Sequence, residues 1–393
     1  MERVVVVGMA RTPIGAFGGS LKDTAAPALG AHVIREALSR AGVSPAAVEE
    51  VLIGSLGQVA EEAFLARQCA IGAGLPIETT AMTVNRLCGS GLQAINTGVM
   101  TLRSEQASVV VAGGTEAMSR YPFISRGARW GLRMGDAVLE DSLLKVLSCP
   151  FNTYHMGITA ENVAMRYGIS REEQDQFALV SQQRAAAAME AGRFTEQIAP
   201  LEVPAGKGKA RLFETDEYAR PDTTIAKLAA LRPAFAKDGT VTAGNASGVN
   251  DGAAALVLTT AVRADAEGWK PLAEVVDFAV AGVDPAVMGI GPIPAIQKLV
   301  ARTGVPLSEV GVFELNEAFA AQSLAVVQSL ALDPARVNPN GGAIALGHPV
   351  GATGAIISCK LIAEMRRCGL EYGIASLCIG GGQGIATLFR LTA

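Results

Sequence analysis

Cys88 is the side chain of this sequence whose surroundings best suit chemistry. It stands in the sequence Asn-Arg-Leu-Cys-Gly-Ser-Gly, between a β-like run and a segment with apolar residues at helical spacing. The amides and dipole at a helix N-terminus stabilise a thiolate, and glycines allow a ligand or a second backbone to approach closely. Cys88 could therefore be a nucleophile. Position alone leaves open that it is a buried, inert cysteine, which is the commoner case.

His348 is the second candidate. It is one of three histidines and lies in the Gly- and Pro-rich sequence Gly-Gly-Ala-Ile-Ala-Leu-Gly-His-Pro-Val-Gly. Such a loop is an unusual place for a histidine unless the local geometry matters. His32, in contrast, occurs in an ordinary amphipathic helical pattern, and no role is assigned to it.

Cys378 ends a strand-like run and is followed by Ile-Gly-Gly-Gly-Gln-Gly, which superficially resembles a dinucleotide-binding turn. A dinucleotide-binding turn opens into a helix, whereas residues 385–389 continue as a second strand-like run. A β-hairpin whose free amides point into a site fits this sequence better.

Two further polar clusters are candidates for a binding site. Asn316 and Glu317 directly follow a buried-looking strand, where polar side chains need partners. Residues 242–248 are small and would suit contact with a slim ligand. Each cluster could equally be a tight turn.

The elements that must position these residues follow an α/β pattern with largely buried strands. In the first part, strands at 3–8 and 107–112 (the latter ending at Gly113 and Gly114) flank the Cys88 helix. The last third repeats the order: a strand at 310–315, a helix through 317–329, His348, a helix from about 352 to 365, and a final strand ending in glycines. This repetition predicts a duplicated domain.

Residues 119–249 have a different, helix-rich texture and are predicted to be an insertion in the first half. The Ser-Arg-Glu-Glu sequence from Ser170 is a capping box that marks a helix start. The insertion could be a lid that binds substrate, or a helical subdomain that only packs against the core.

Composition excludes several classes of protein. Half of the 393 residues are hydrophobic, 18% are charged and the net charge is −4, without the basic stripe of a nucleic-acid surface. Six cysteines lack metal-ligand spacing, and no apolar run reaches the roughly 20 residues that cross a bilayer. The sequence enters a Val-rich strand at once, so we expect a cytoplasmic, reducing location without a signal peptide.

Taken together, the motifs resemble those of the thiolase family, and the likeness runs from residue 3 to the C-terminus. That family implies an α/β fold of two similar halves, each a mixed sheet with helices, layered αβαβα, with a lid insertion. We expect an N-terminal half at 1–268 and a C-terminal half at 269–393. The motifs that carry the resemblance are Val-Asn-Arg-Leu-Cys-Gly-Ser-Gly at 84–91, Asn-Glu-Ala-Phe at 316–319, Gly-His-Pro at 347–349 and Cys-Ile-Gly-Gly-Gly at 378–382.

The resemblance also implies catalytic roles. His348 would take the proton of Cys88, whose thiolate would attack a thioester, and the N–H groups of Cys88 and Gly380 would hold the oxyanion. Cys378 would deprotonate the α-carbon of a second acetyl-CoA. Asn316, through a water, and His348 would stabilise the enolate. No metal or redox cofactor is expected, because thioesters are already activated and the charge develops on oxygen. Coenzyme A is substrate and product.

For the substrate, the resemblance implies contacts from the lid. Ser247 would lie beside the pantetheine, Arg220 near the adenine, and His155 and Met156 near the acyl-thioester end, with Phe319 as a further contact. Arg220 could instead be an ordinary surface charge. Because Met156 would narrow the acyl pocket, we expect reversible condensation of two acetyl-CoA molecules. A broader-chain, degradative 3-ketoacyl-CoA thiolase is the alternative.

The resemblance also implies the ligands and the oligomeric state, and it separates this chain from other classes of protein. We expect acyl-CoA and CoA as ligands, no nucleic acid or membrane, and a homodimer or homotetramer with residues 126–133 as a candidate contact. A ketosynthase would lack a basic cysteine such as Cys378. A non-catalytic lipid carrier would have lost one of the three reactive residues, and a dehydrogenase would need a helix after the glycine run.

Overall fold

The computed structural model describes residues 2–206 and 208–392. Its strands are largely buried on both faces, as expected for an α/β protein with helices on both sides of a sheet. The strands are β1 (Val4–Arg11), β2 (Gly15–Ala16), β3 (Glu50–Gly54), β4 (Thr80–Val84), β5 (Val109–Ala117), β6 (Phe123–Ile124), β7 (Glu140–Asp141), β8 (Leu201–Pro204), β9 (Ala210–Phe213), β10 (Asn250–Thr260), β11 (Ala273–Gly282), β12 (Val310–Leu315), β13 (Tyr372–Ile379) and β14 (Gln383–Leu391).

The helices begin and end at recognisable signals. The capping box at Ser170 is present, and Gly42 and Gly369 end two long helices in left-handed conformations that suit glycine. No helix in the described residues is long and apolar enough to cross a bilayer. The helices are α1 (Ala26–Ala41), α2 (Leu65–Gly72), α3 (Ser90–Arg103), α4 (Ser142–Val146), α5 (Met156–Tyr167), α6 (Arg171–Glu190), α7 (Ile225–Ala229), α8 (Ala261–Glu267), α9 (Pro292–Thr303), α10 (Ala320–Ser329), α11 (Ala343–Leu346) and α12 (Thr353–Cys368).

The strands form two similar sets. In the first, β4, β3 and β5 are parallel, and β10 and β1 continue the sheet antiparallel. In the second, β12 and β13 are parallel, and β14 and β11 follow antiparallel. The predicted α/β class and the two similar halves are confirmed. The sequence did not predict that β1 pairs with β11, which joins both sets into one continuous sheet.

Buried side chains divide into layers. One apolar cluster lies between the first set of strands and the outer helices α1 and α2, and another between the second set and α9 and α10. The largest cluster contains α3 and α12, which pack against each other and against strands of both halves. This order of helix, strand and helix layers agrees with the predicted αβαβα arrangement. It places α3 and α12, which follow Cys88 and His348, side by side in the centre.

The strand predicted at 107–112 does not end at Gly113 and Gly114, because β5 continues to Ala117. These glycines serve close approach. A Cβ at Gly113 would lie 2.1 Å from the Ala254 carbonyl oxygen of β10, and one at Gly114 would lie 2.3 Å from the Gly351 oxygen. Gly113 therefore lets β10 approach β5 closely, and Gly114 lets the His348 loop pack directly on β5.

The insertion lies between β5 and β10, which are adjacent in the sheet, and contains α4–α7 and β6–β9. A buried ion pair fixes its second part to the core: Arg11 contacts Asp216 through two nitrogens at 2.8 and 2.9 Å, and Ile14 N–H also donates to that carboxylate. Both side chains are fully buried. Bidentate geometry of this kind holds an arginine and a carboxylate in one orientation.

Candidate active site

Cys88 lies in a tight turn between β4 and α3. Leu87 adopts a left-handed conformation with φ of 49°, and its N–H donates to Asn85 Oδ1 at 3.0 Å. Ser90, the first residue of α3, accepts a hydrogen bond from Arg86 N–H and donates to the Leu87 carbonyl. Every one of these bonds is local to the turn, and together they hold Cys88 immediately before the helix.

The thiol of Cys88 has a raised pKa. Burial is the main cause, and the backbone N–H groups of Gly380 and of Cys88 itself oppose it by approaching the sulfur. The expected stabilisation of a thiolate by the helix start is therefore outweighed by burial in the free protein. Cys88 needs a proton acceptor to become a nucleophile.

His348 is buried and held at three points. Its Nδ1 lies 2.7 Å from Thr353 Oγ1, its Nε2 lies 3.3 Å from Asn316 Nδ2, and its backbone N–H donates to Asn250 Oδ1 at 2.9 Å. Burial lowers the pKa of His348 to about 4. The imidazole is therefore neutral at physiological pH and can accept a proton.

A buried carboxylate, Glu116 at the end of β5, fixes the loop that follows His348. No sequence motif assigns a role to this residue, although it lies in the Gly-Gly-Thr-Glu stretch. Burial raises the pKa of Glu116, and the hydrogen bonds it accepts oppose this rise. The five donors, at 2.9–3.1 Å, are Ser55 Oγ, Leu56 N–H, Gly57 N–H, Tyr121 Oη and Gly351 N–H.

The glycines after Cys378 form the turn of a β-hairpin, as the sequence predicts. Strands β13 and β14 pair antiparallel up to Ile379 and Gln383, and Gly381 and Gly382 have positive φ. The predicted hairpin, and not a dinucleotide-binding turn, is therefore correct. The turn brings the Gly380 amide to Cys88.

Cys378 is fully buried in an apolar cluster with Met156, Ala318 and Phe319. Burial raises its pKa, and a charge on the nearby Cys88 raises it further. Asn316 follows β12, and α10 begins only at Ala320, three residues later than expected. Ala318 and Phe319 line the site, whereas the Glu317 carboxylate points elsewhere and accepts hydrogen bonds from Ser181, Asn338 and Ile344. Asn316 Nδ2 faces His348, and within the described residues its buried Oδ1 has no hydrogen-bond partner.

A cavity of about 270 Å³ brings most of the predicted residues together. It is largely apolar, which suits an acyl thioester. No group of three or more His, Cys, Asp or Glu side chains that could hold a metal ion occurs in the described part of the chain. The predicted residues on its wall are Cys88, His348, Gly380, Ser247, His155, Met156 and Phe319. Lining residues that no sequence motif indicated include Leu147, Phe235 and Met288.

His155 and Met156 lie at the start of α5, on the wall of this cavity. His155 accepts a hydrogen bond from Gly157 N–H through Nδ1 at 3.0 Å and stacks on Phe235 with centroids 4.7 Å apart. Burial lowers the pKa of His155. The Met156 methyl group lies over Gly380, where an added Cβ would be 3.0 Å from it. Met156 therefore lies beside the amide that faces the Cys88 sulfur.

Arg220 does not line this cavity. It lies in a neighbouring pocket of about 510 Å³ that shares Val249 with the cavity, and its guanidinium stands 5.6 Å from the centre of the Tyr218 ring. Backbone N–H of Arg220 donates to Gln182. The position is compatible with a ligand longer than the cavity, with one end at Cys88 and the other at Arg220.

Comparison with known proteins agrees with this arrangement. The thiolase N-terminal domain matches residues 4–262, and the thiolase C-terminal domain matches residues 269–391. An acetyl-CoA acetyltransferase of Pseudomonas aeruginosa is 53% identical over 99% of this chain and 100% of its own length. Beta-ketothiolase BktB of Cupriavidus necator is 52% identical over 99% of both chains. The crystal structure of human mitochondrial 3-ketoacyl-CoA thiolase in complex with CoA superposes with a TM-score of 0.96 at 46% identity, covering 100% of this chain and 98% of that one. The chain belongs to the thiolase family.

Proposed function

We propose that this protein is an acetyl-CoA C-acetyltransferase that reversibly condenses two acetyl-CoA molecules to acetoacetyl-CoA and CoA. The observation that carries the proposal is one cavity in which Cys88, a neutral His348 and the Gly380 amide meet, with Cys378 buried beside it. The names of the relatives from Pseudomonas aeruginosa and Cupriavidus necator support the same activity.

In the first half-reaction, His348 takes the proton of Cys88 and the sulfur attacks the thioester carbonyl of acetyl-CoA. The amides of Cys88 and Gly380 stabilise the oxyanion of the tetrahedral intermediate. Its collapse breaks the bond from carbonyl carbon to CoA sulfur. Cys378 gives its proton to the departing sulfur, so CoA leaves as a thiol. Acetyl-Cys88, a protonated His348 and a Cys378 thiolate remain.

In the second half-reaction, the Cys378 thiolate removes a proton from the α-carbon of the second acetyl-CoA. The raised pKa of Cys378 makes its thiolate a strong base, which suits a weakly acidic C–H group. The protonated His348 and Asn316 donate to the enolate oxygen, Asn316 through a water. The enolate carbon then attacks acetyl-Cys88. Cys88 leaves as a thiolate and recovers its proton from His348, so every group returns to its starting state.

The finer assignments of ligand contacts are part of this proposal. Ser247 would contact the pantetheine, and Arg220, with Tyr218 beneath its guanidinium, would hold the adenine end in the neighbouring pocket. His155, Met156 and Phe319 would enclose the acyl end. Thioesters are already activated and the developing charge is on oxygen, so this chemistry calls for no redox cofactor or metal.

We propose a homodimer or homotetramer, with residues 126–133 as a contact between copies. Support comes from exposed apolar side chains within this segment, Trp130 at 88% and Leu132 at 60% exposure. A division of the chain after residue 268 into two halves, and a cytoplasmic location, complete the proposal. The thiols of all six cysteines are free, which supports a reducing compartment.

A broader-chain 3-ketoacyl-CoA thiolase is the second candidate, favoured by the similarity to the human mitochondrial 3-ketoacyl-CoA thiolase. The two candidates use the same reactive groups and differ only in the acyl substrate. Steady-state kcat/KM for acetoacetyl-CoA against 3-ketodecanoyl-CoA separates them, because equal values would favour the second candidate.

The main test is acylation of the purified protein. Acetoacetyl-CoA absorbance should fall only when CoA is added, and incubation with labelled acetyl-CoA should place the label on Cys88 by peptide mass spectrometry. Cys88→Ala should take up no label. Label on Cys378 with Cys88 unmodified would reverse the two cysteine roles, and no CoA-dependent cleavage would overturn the thiolase assignment.

A further inference from the structure

We propose that Thr353 is a positioning residue that holds neutral His348 in the tautomer with its proton on Nδ1, which leaves Nε2 as the nitrogen that can accept a proton. This inference rests on the proposed function only in the use that His348 makes of the tautomer. The tautomer itself is a property of the resting protein and can be measured without substrate.

The contact is short and buried on both sides. Thr353 Oγ1 lies 2.7 Å from His348 Nδ1, Thr353 is 2% exposed and His348 is 6% exposed. No water is needed to bridge the two groups at this distance. The hydroxyl is therefore the hydrogen-bond partner of Nδ1, and it decides which proton arrangement the ring can adopt.

The direction of the bond follows from counting protons. A threonine hydroxyl carries one hydrogen, and Thr353 Oγ1 lies 2.9 Å from the Pro349 carbonyl oxygen, which can only accept. If the hydroxyl donates to Pro349, it must accept from the ring. His348 Nδ1 then carries the proton.

The other side of the ring is consistent with this arrangement. Asn316 Nδ2, a donor, lies 3.3 Å from His348 Nε2. A proton on Nε2 would place two donors face to face, whereas an unprotonated Nε2 accepts. Both neighbours of the imidazole therefore favour the same tautomer.

Thr353 is also well placed to be rigid. It is the first residue of α12, whose packing against α3 belongs to the central apolar layer. Its backbone N–H donates to the same Pro349 carbonyl at 3.0 Å. The hydroxyl is thus fixed to the helix, and it orients a base that lies in the Gly-rich loop before that helix.

The expected consequence of losing the hydroxyl is a mixed tautomer population. Which ring nitrogen of a neutral histidine is protonated depends on the hydrogen bond that the other nitrogen makes. A base held in the wrong tautomer cannot accept the Cys88 proton. In a serine protease, the corresponding wrong tautomer of the catalytic histidine lowers kcat about 10⁴-fold. Thr353 is an uncharged partner, so we expect a smaller loss of about 10- to 100-fold in kcat, with KM nearly unchanged.

The experiment compares three variants with the native protein. Thr353→Val removes the hydroxyl at nearly constant shape, and Thr353→Ser keeps it. Thr259→Val is the matched control, because Thr259 is buried and its hydroxyl donates to the Ser108 carbonyl. The readouts are the rate of acetyl exchange and the ¹⁵N shifts of the histidine ring nitrogens, which distinguish the two tautomers.

Only three histidines occur in the chain, so His348→Gln identifies the His348 signals by their loss. The proposal predicts a protonated Nδ1 in the native protein, in Thr353→Ser and in Thr259→Val, and a mixture or reversal in Thr353→Val together with slower exchange. A protonated Nε2 in the native protein, or an unchanged tautomer in Thr353→Val, would overturn it. A native protein with this tautomer but no acetyl exchange would instead contradict the proposed function.

Discussion

The two halves of the molecule prepare their reactive residues in opposite ways. Cys88 and His348 each precede a central helix, α3 or α12, and the two helices pack side by side. The Cys88 turn is held by bonds between residues at most four positions apart. The His348 loop is held from the other half of the chain, by Asn250 and through Glu116. The nucleophile is positioned by its own turn, whereas the base is positioned by Thr353 and Asn316 of its own half together with anchors from the half that contains the nucleophile.

This difference explains why a duplicated fold can carry one site. A local turn can fix the direction of a small thiol, because the helix start and the left-handed Leu87 leave it little freedom. An imidazole has to be fixed in rotation, tautomer and distance to the thiol, which takes partners from several elements. Cross-anchoring by Asn250 and Glu116 ties the geometry of the base to the core of the first half.

The largest effects should come from removing His348 or Cys378, the two residues that accept protons in the reaction. We expect the two substitutions to affect the two half-reactions differently. His348→Ala should slow both half-reactions, because His348 serves the nucleophile and the enolate. Cys378→Ala should lose condensation, which needs α-carbon deprotonation, and should still exchange acetyl groups through Cys88 at a reduced rate, because CoA can leave as a thiolate without the Cys378 proton. Losses of about 10²–10⁴-fold are typical for single acid–base groups.

Acetyl exchange with labelled CoA and formation of acetoacetyl-CoA measure the two half-reactions separately. Cys149→Ala is a suitable control, because Cys149 is a buried cysteine of the same apolar cluster with no proposed chemical role. Condensation by Cys378→Ala at close to the native rate would end the proposed role of Cys378 as the second base.

Loss of the Glu116 contact that holds the His348 loop should have the next largest effect on activity. Glu116→Gln replaces a carboxylate oxygen with a donor, so at least one of the five donors around it, Gly351 N–H among them, loses its acceptor. We expect the free energy of unfolding to fall by about 1–3 kcal/mol and kcat to fall about tenfold. Denaturant unfolding and steady-state kinetics measure the two quantities.

Glu274→Gln is the matched control for this variant. Glu274 is also a buried carboxylate, but it pairs with Arg390 near the pairing of β1 with β11 and does not line the cavity. Its substitution should cost stability and leave kcat close to native. A fall in kcat of the same size in both variants would show that Glu116 acts only through general stability.

Much of the fold could be predicted from the sequence because local patterns determine it. Strand β12, the helix after Cys88 and the capping box at Ser170 follow from apolar spacing and capping residues that act within a few positions. The pairing of β1 with β11 could not be predicted, since it depends on contacts more than 250 residues apart.

The site divides in the same way. Cys88, His348 and the hairpin at Gly380 have motif residues around them, so they could be identified. The partners that orient them could not, because Thr353, Glu116 and the cavity residues Phe235 and Met288 are ordinary residue types whose role comes from distance alone. The position of Arg220 outside the cavity likewise depends on how the insertion folds.

Substitution of Met156 should have a smaller effect, which changes the preference for acyl chain length and leaves the reacting groups intact. Its methyl lies over Gly380, and if it closes the acyl end, Met156→Gly should raise kcat/KM for six- to ten-carbon 3-ketoacyl-CoA and change acetoacetyl-CoA little. Each methylene is worth about 1–3 kcal/mol in a pocket, and methionine is flexible, so the native preference should decline gradually with chain length. Met165→Gly, at an exposed position of the same helix, is the control for helix loss. Equal native kcat/KM for four- and ten-carbon substrates would remove the short-chain assignment.

The smallest expected effect concerns pH and bears directly on the contrast between the two residues. Burial raises the pKa of Cys88 and lowers that of His348 to about 4, so both groups are neutral over the whole physiological range. An exposed histidine with a pKa near 6.5 would be only about 10% neutral at pH 5.5, whereas His348 would be almost fully neutral there. We therefore expect kcat/KM for acetyl exchange to fall by less than about twofold between pH 7.5 and 5.5, and to fall steeply only toward pH 4.

Measuring the exchange with S-acetylpantetheine avoids the ionising phosphates of CoA, which would otherwise add their own titration. An acid limb centred near pH 6.5 with this substrate would mean that His348 is as hydrated as a surface histidine. Cys88 and His348 would then differ in the contacts that hold them and not in how deeply they are buried.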